Sequence, residues 1–136
     1  MRDRYKVLSE KYQLVTEQTE EPVMKVDKYG TKMWYLNGRL HRTDGPAIER
    51  ANGTKEWFLN DKLHRTDGPA VVWANGDKVW YLNDKLHRTD GPAYEGADGT
   101  KSWYLNGIQY SEEEWKEQIE LEQGLKDLAL IRTKFK

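Results

Sequence analysis

The sequence predicts a mainly β protein: an antiparallel meander of β-hairpin repeats stacked as a solenoid sheet, with a C-terminal α-helix and a short N-terminal helix at its ends. Three observations predict it. A 23-residue period runs through the middle of the chain, obeyed by Gly30, Gly53, Gly76 and Gly99, by Trp34, Trp57, Trp80 and Trp103, and by Asn37, Asn60, Asn83 and Asn106. Within each period, short alternating segments are separated by turn-forming dipeptides. Six Trp and eight Tyr in 136 residues supply the apolar surface that a hydrophilic chain otherwise lacks, which argues for a packed core and against disorder.

The period sets the organisation of the chain. Residues 1–21 form an N-terminal segment, 22–110 the β-repeat domain, with units near 22–45, 46–68, 69–91 and 92–110, and 111–136 a C-terminal helical cap. In the first segment, Tyr5, Leu8, Tyr12 and Val15 fall on one face of a helix over 3–17. Glu20-Glu21-Pro22-Val23 then stands where later units carry Asp-Gly-Pro-Ala, one residue out of register with Gly30, and reads as a degenerate half-unit.

Inside a unit, Thr54 to Leu59 alternates, which places Lys55, Trp57 and Leu59 on one face and Glu56 and Phe58 on the other. Asn37-Gly38 and Asn106-Gly107 are strong two-residue hairpin turns because both positions tolerate positive φ; Asn60-Asp61 and Asn83-Asp84 are weaker versions. A short strand, Lys62 to Arg65, follows. Thr-Asp-Gly-Pro then turns the chain, and Pro69, lacking an N–H, suits the start or edge of the next strand, Ala70 to Trp73, which ends at the Asn75-Gly76 turn. One unit cannot bury its Trp-Leu face alone, whereas stacked neighbours can. With strands about 4.8 Å apart and two or three per unit, equivalent residues form rows spaced roughly 10–14 Å.

At the end of the array, Tyr110 and Ser111 stand in the places of His and Arg, and a helix begins. Ser111 with Glu114 reads as a capping box and Tyr110 with Trp115 as a hydrophobic staple. Trp115, Ile119, Leu121, Leu125 and Leu128 form a broad apolar stripe that Gly124 weakens in the middle.

The chemistry of the sequence narrows the function. A net charge of −1 gives no general attraction to nucleic acid or acidic membranes, and the absence of cysteine excludes disulfides and thiolate catalysis. There is no P-loop, Rossmann or HExxH motif and no assembled Ser-His-Asp set. No apolar run reaches membrane-spanning length, and Met1 to Glu10 lacks an apolar signal core, so a cytoplasmic protein without a membrane partner is expected. His41, His64 and His87 are the only histidines, one per unit. Metal ligands must converge on one ion at about 2.0–2.1 Å, which side chains a repeat apart on a sheet do not do. The row is read as hydrogen-bonded strand residues, and no metal, cofactor or catalytic residue is expected.

Arg42, Arg65 and Arg88 precede Asp44, Asp67 and Asp90 by two. They form either a recognition ladder or structural pairs in which Asp caps its turn and Arg bonds that Asp or the one in the next unit. Tyr35, Phe58, Tyr81 and Tyr104 lie opposite the Trp row, where they serve packing, protein contact or self-association, or the stacking of bases. Positions that vary between units, Met33/Glu56/Val79/Ser102 and Ile48/Val71/Tyr94, read as free to shape a surface. Trp73 and Tyr94 are candidate anchors because large aromatics dominate binding hot spots.

The 23-residue period, the W…N-G…H…G spacing and the closing [DN]-G turn resemble MORN repeats, with His-Arg-Thr-Asp-Gly-Pro-Ala in place of H-G-x-G. The closer similarity is to the W-Y-x-N-G-x-x-H-R-x-D-G-P-A repeat proteins of tailed bacteriophages and large DNA viruses, over residues 22–110. That resemblance implies an antiparallel β-meander, a viral or mobile-element origin and a scaffold or binding surface without catalytic residues. It leads to the expectation of a non-enzymatic, phage-encoded accessory protein in the host cytoplasm that docks sterically on a host or viral protein, with inhibition of host defence as its role. The alternatives are a nucleotide or nucleic-acid sponge using the Arg-aromatic faces, and an enzyme built on the His-Arg-Asp row. A homodimer through the sheet edge or the C-terminal stripe is also expected.

Overall fold

The computed structural model describes residues 21–134, so the helix expected over 3–17 lies outside the described residues. The first unit contributes β1 (Val23–Val26), β2 (Lys32–Leu36) and β3 (Arg39–Leu40). Two central units follow in the same pattern, β4 (Ile48–Glu49), β5 (Lys55–Glu56), β6 (Phe58–Leu59) and β7 (Lys62–Leu63), then β8 (Val71–Val72), β9 (Lys78–Val79), β10 (Tyr81–Leu82) and β11 (Lys85–Leu86). The last unit supplies β12 (Tyr94–Glu95), β13 (Lys101–Leu105) and β14 (Ile108–Tyr110), and α1 (Glu112–Lys134) closes the described chain. The architecture is the mainly β, antiparallel meander with a C-terminal helix that the period predicts.

The strands form two ladders. The main sheet runs β1-β2-β4-β5-β8-β9-β12-β13 in antiparallel order, so each unit adds two strands. The hairpins β2/β3, β6/β7, β10/β11 and β13/β14 stand beside it. The repeated Trp is where the chain passes from one ladder to the other. Trp57 donates its N–H to Ala70 O at 2.7 Å, on the main-sheet side, and accepts from His64 N at 3.0 Å, within the hairpin. Trp34 and Trp80 make the same two bonds. The alternation expected from Thr54 through Leu59 is therefore interrupted at Trp57: residues 55–56 and 58–59 belong to different ladders. Ala47, Ala70 and Ala93, which accept at each corner, are 0% exposed.

All four hairpin turns have positive φ at both central positions, as the Asn-Gly and Asn-Asp dipeptides predict; Asn60 and Asp61 sit at 49° and 67°. The turns that join the two main-sheet strands of a unit, β4 to β5, β8 to β9 and β12 to β13, use an Asx residue and a glycine instead. Asn52 Oδ1 accepts from Thr54 N at 2.9 Å, Asn75 Oδ1 from Asp77 N at 3.0 Å and Asp98 Oδ1 from Thr100 N at 2.9 Å, while Gly53, Gly76 and Gly99 take φ of 90–99°.

Successive units are stitched by side chains as well as backbone. Asp61 N donates to Leu40 O at 2.9 Å while Asp61 Oδ1 accepts from Leu40 N at 2.7 Å, and Asp84 makes the same reciprocal pair with Leu63. His41, His64 and His87 accept at Nδ1 from the backbone N–H of Asn60, Asn83 and Asn106, at 3.0–3.1 Å. Their neutral rings therefore carry the proton on Nε2.

The varying positions are not a free surface, which corrects the sequence-based expectation. Met33, Ile48, Glu56, Val71, Val79, Tyr94 and Ser102 are direct cross-strand neighbours in one row across the main sheet. Ile48, Val71 and Val79 are 4–7% exposed. Glu56 enters this row by pairing with Arg50 Nε at 2.7 Å. Residues here vary because each packs against cross-strand partners that vary with it. The opposite face of the same strands carries Lys32, Glu49, Lys55, Val72, Lys78, Glu95 and Lys101 in order, a ladder mostly of alternating charge that accounts for the repeated lysines.

The helix α1 begins where the sequence places it, with Ser111 Oγ accepting from Glu114 N at 3.1 Å. It runs through Gly124 without a break. Of the expected stripe only Trp115 is buried and Ile119 half-buried; Leu121, Leu125 and Leu128 are exposed, because the helix meets β13 and β14 near its N-terminus and then leaves the sheet. Among the described residues no helix is long and apolar enough to cross a membrane.

Candidate interaction surface

The His-Arg-Thr-Asp-Gly-Pro-Ala segment folds around its own arginine. Arg65 Cζ lies 3.9 Å from the centroid of Trp57, its Nε donates to Asp67 Oδ1 at 2.9 Å and its Nη1 donates to Pro69 O at 3.0 Å. A Cβ at Gly68 would fall 2.9 Å from that same Cζ, so a larger residue would have to displace a guanidinium already held by Trp57, Asp67 and Pro69. Arg42 repeats the arrangement with Trp34, Asp44, Pro46 and Gly45, and Arg88 with Trp80, Asp90, Pro92 and Gly91. Arg88 also reaches Glu95 Oε1 at 2.8 Å and Arg42 reaches Glu49 Oε1 at 3.6 Å. The pairing is with each arginine's own Asp, not with that of the next unit. The Arg65 guanidinium beside it holds the Asp67 carboxyl below the ordinary carboxylate value.

These three arginines, read as candidate recognition residues, are thus each spent on a fixed internal arrangement, with side chains 17–23% exposed. Tyr35, Phe58, Tyr81 and Tyr104 are all half-buried. Burial pushes the Tyr81 hydroxyl up. Trp73 stands out in the turn between β8 and β9, 47% exposed, its backbone N–H closing the turn onto Asp77 O at 2.9 Å. Tyr94, in the sheet row, donates its hydroxyl to Asp77 Oδ2 at 3.2 Å. Asp77 therefore links the two candidate anchors, and it also accepts from Ala97 N at 2.7 Å in the following turn. That backbone N–H, more than any other group, holds the Asp77 carboxyl below its ordinary value. Among the described residues no group of His, Asp and Glu is placed to hold a metal ion.

Two clefts repeat with the period of the fold. The first, about 540 Å³, is walled by Arg42 to Gly45 of one unit and by Trp57, Leu59 and His64 to Asp67 of the next. The second, about 360 Å³, has every one of those walls advanced by one repeat, from Arg65 to Gly68 and from Trp80 and Leu82 to Asp90. The same register places a third between Arg88 to Gly91 and Trp103 to Leu105. There the chain supplies its own occupant: Trp115, 8% exposed, donates its indole N–H to Arg88 O at 2.9 Å. Leu105 is 4% exposed, whereas Leu59 and Leu82 in the open clefts are only half-buried. Sequence reasoning assigned Trp115 to a staple with Tyr110 and missed this second role. The available signal was the loss of the His-Arg pair at 110–111, which removes one wall of the repeat where the helix enters. No family model matches the chain, and no curated protein matches it.

Proposed function

We propose that this chain is a non-enzymatic interaction protein: a phage-encoded accessory protein that works in the host cytoplasm by docking sterically on a protein partner, with inhibition of host defence as its purpose. The observation that carries the binding reading is how the repeat uses its side chains. The groups a catalytic or stacking site would need are spent inside the fold, His on the next unit's turn and Arg on Trp, Asp and Pro. The exposed groups include a large aromatic, Trp73, and two clefts lie open between units. Large aromatics carry most of the free energy of protein interfaces. The viral origin and the defence role rest on the resemblance of the repeat to those of phages and large DNA viruses. The nucleotide-sponge alternative fits less well, because the three repeated arginines on which it rests already have partners.

The test is affinity capture from host lysate followed by mass spectrometry, beside light scattering of the purified protein to separate self-association from capture. The expected result is a stoichiometric protein partner that Trp73→Ala loses while its circular dichroism and melting are unchanged. Capture unaffected by Trp73→Ala removes that residue as an anchor. A purified chain that retains only nucleotides or RNA overturns the protein-binding reading.

A further inference from the structure

The geometry points to an occupant for the two open clefts: indole side chains of the partner polypeptide, seated as Trp115 is seated in the third position. This deepens the protein-binding reading above and rests on it. The three positions are related by the 23-residue register, and the chain itself shows what the third accepts. Trp115 satisfies a backbone carbonyl that the repeat leaves open, that of Arg88. The equivalent carbonyls of Arg42 and Arg65 take no hydrogen bond from any described residue. Leu105, on the strand that α1 meets, is buried, and its equivalents Leu59 and Leu82 form apolar floor in the open clefts. Each open cleft thus combines an aliphatic side chain with an unused acceptor, the pairing an indole ring with its single N–H donor satisfies.

The spacing of the clefts specifies the partner further. Each unit adds two main-sheet strands, so equivalent points lie about 10 Å apart. Residues seven apart on one face of an α-helix are separated by about 10.5 Å. Trp115 is itself delivered from the first turn of a helix. The occupant is a helix that, unlike α1, runs along the array and bears two tryptophans at i and i+7, one for each open cleft.

The experiment uses the full chain and a helix-locked peptide copying residues 111–123, which carries one tryptophan at the Trp115 position, with a second peptide that adds Glu122→Trp at the i+7 position. Titration of the isotope-labelled chain by NMR reads the side-chain signals of Leu59, His64, Leu82 and His87. The expected result is saturable shifts at those residues. Trp115→Ala in the peptide should abolish them, and replacing its indole by 1-methylindole, which keeps the ring and loses the donor, should weaken them roughly two- to tenfold. The two-tryptophan peptide should bind at least tenfold more tightly than the one-tryptophan peptide. Because these controls lie on the peptide, no folding defect of the chain enters them. Absence of shifts at the clefts, or equal binding by the Trp115→Ala peptide, overturns the proposal. If that happens while Trp73→Ala still abolishes capture of a partner, the protein-binding reading stands and only its assignment to the clefts falls.

Discussion

At the scale of single residues, the repeat is organised by contacts that a propensity table does not contain. Gly45, Gly68 and Gly91 have no positive φ to explain them. Their need for glycine comes from the arginine three residues earlier, whose guanidinium a Cβ would meet at 2.8–3.0 Å. The sequence shows that Arg, Asp, Gly and Pro recur together, and the Arg–Asp pairing was among the readings it allowed. The Arg–Gly and Arg–Trp contacts were not legible, because they depend on how the loop closes over a side chain. A double-mutant cycle tests the assignment. Gly68→Ala should destabilise the fold by about 1–3 kcal/mol, the usual cost of overpacking a filled space, measured by urea unfolding. In an Arg65→Ala background the same change should cost close to nothing, since the atom it strikes is gone. An equal cost in both backgrounds would falsify the clamp as the reason for glycine.

At the scale of elements, the two kinds of turn were read from sequence with unequal success, and the reason is physical. Both turn positions in the hairpins were legible because positive φ selects Asn and Gly locally. The Asn-Asp versions look weaker as isolated turns. In the fold, Asp61 and Asp84 instead gain a carboxylate bond to the preceding unit that glycine cannot make, a contact 21 residues away that no local rule registers. The turns between the main-sheet strands carry a pH dependence. The carboxyls of Asp77 and Asp98 are held below their ordinary value of 3.8, Asp77 first by Ala97 N–H and Asp98 first by Thr100. Asp67 is held low by its hydrogen bond from Arg65. In each case the folded state favours the charged form. That stabilisation is therefore complete above the ordinary value and is lost as pH falls through the lower folded value. Stability measured by urea unfolding should fall as pH drops below about 4. Asp77→Asn, which keeps an oxygen to accept from Ala97 N–H but cannot titrate, should show a smaller fall over that range. An identical pH profile for the variant would mean that the Asp77 bonds are not linked to folding.

At the scale of the whole molecule, the period foretold a stacked array with a cap, and the cap's manner of working is what the sequence concealed. A sustained apolar stripe from Trp115 to Leu128 suggested a helix packed by that whole stripe as a cap. Only its first turns touch the sheet, and a single side chain, Trp115, does most of the covering. In a stacked array each unit depends on its neighbours, so the free energy lost at a cap is felt first at the end it protects. Trp115→Ala removes a buried indole and its bond to Arg88 O, a loss of about 3–5 kcal/mol by the scale of large-to-small substitutions. The loss should not spread evenly. Hydrogen exchange should show β13 and β14 losing protection most, β9 to β12 less, and β4 and β5 least, because the reciprocal bonds of Asp61 and Asp84 still tie the earlier units together. A uniform loss across all units would instead mean that the array unfolds as one cooperative body, and that Trp115 stabilises it globally, not as the plug of its last cleft.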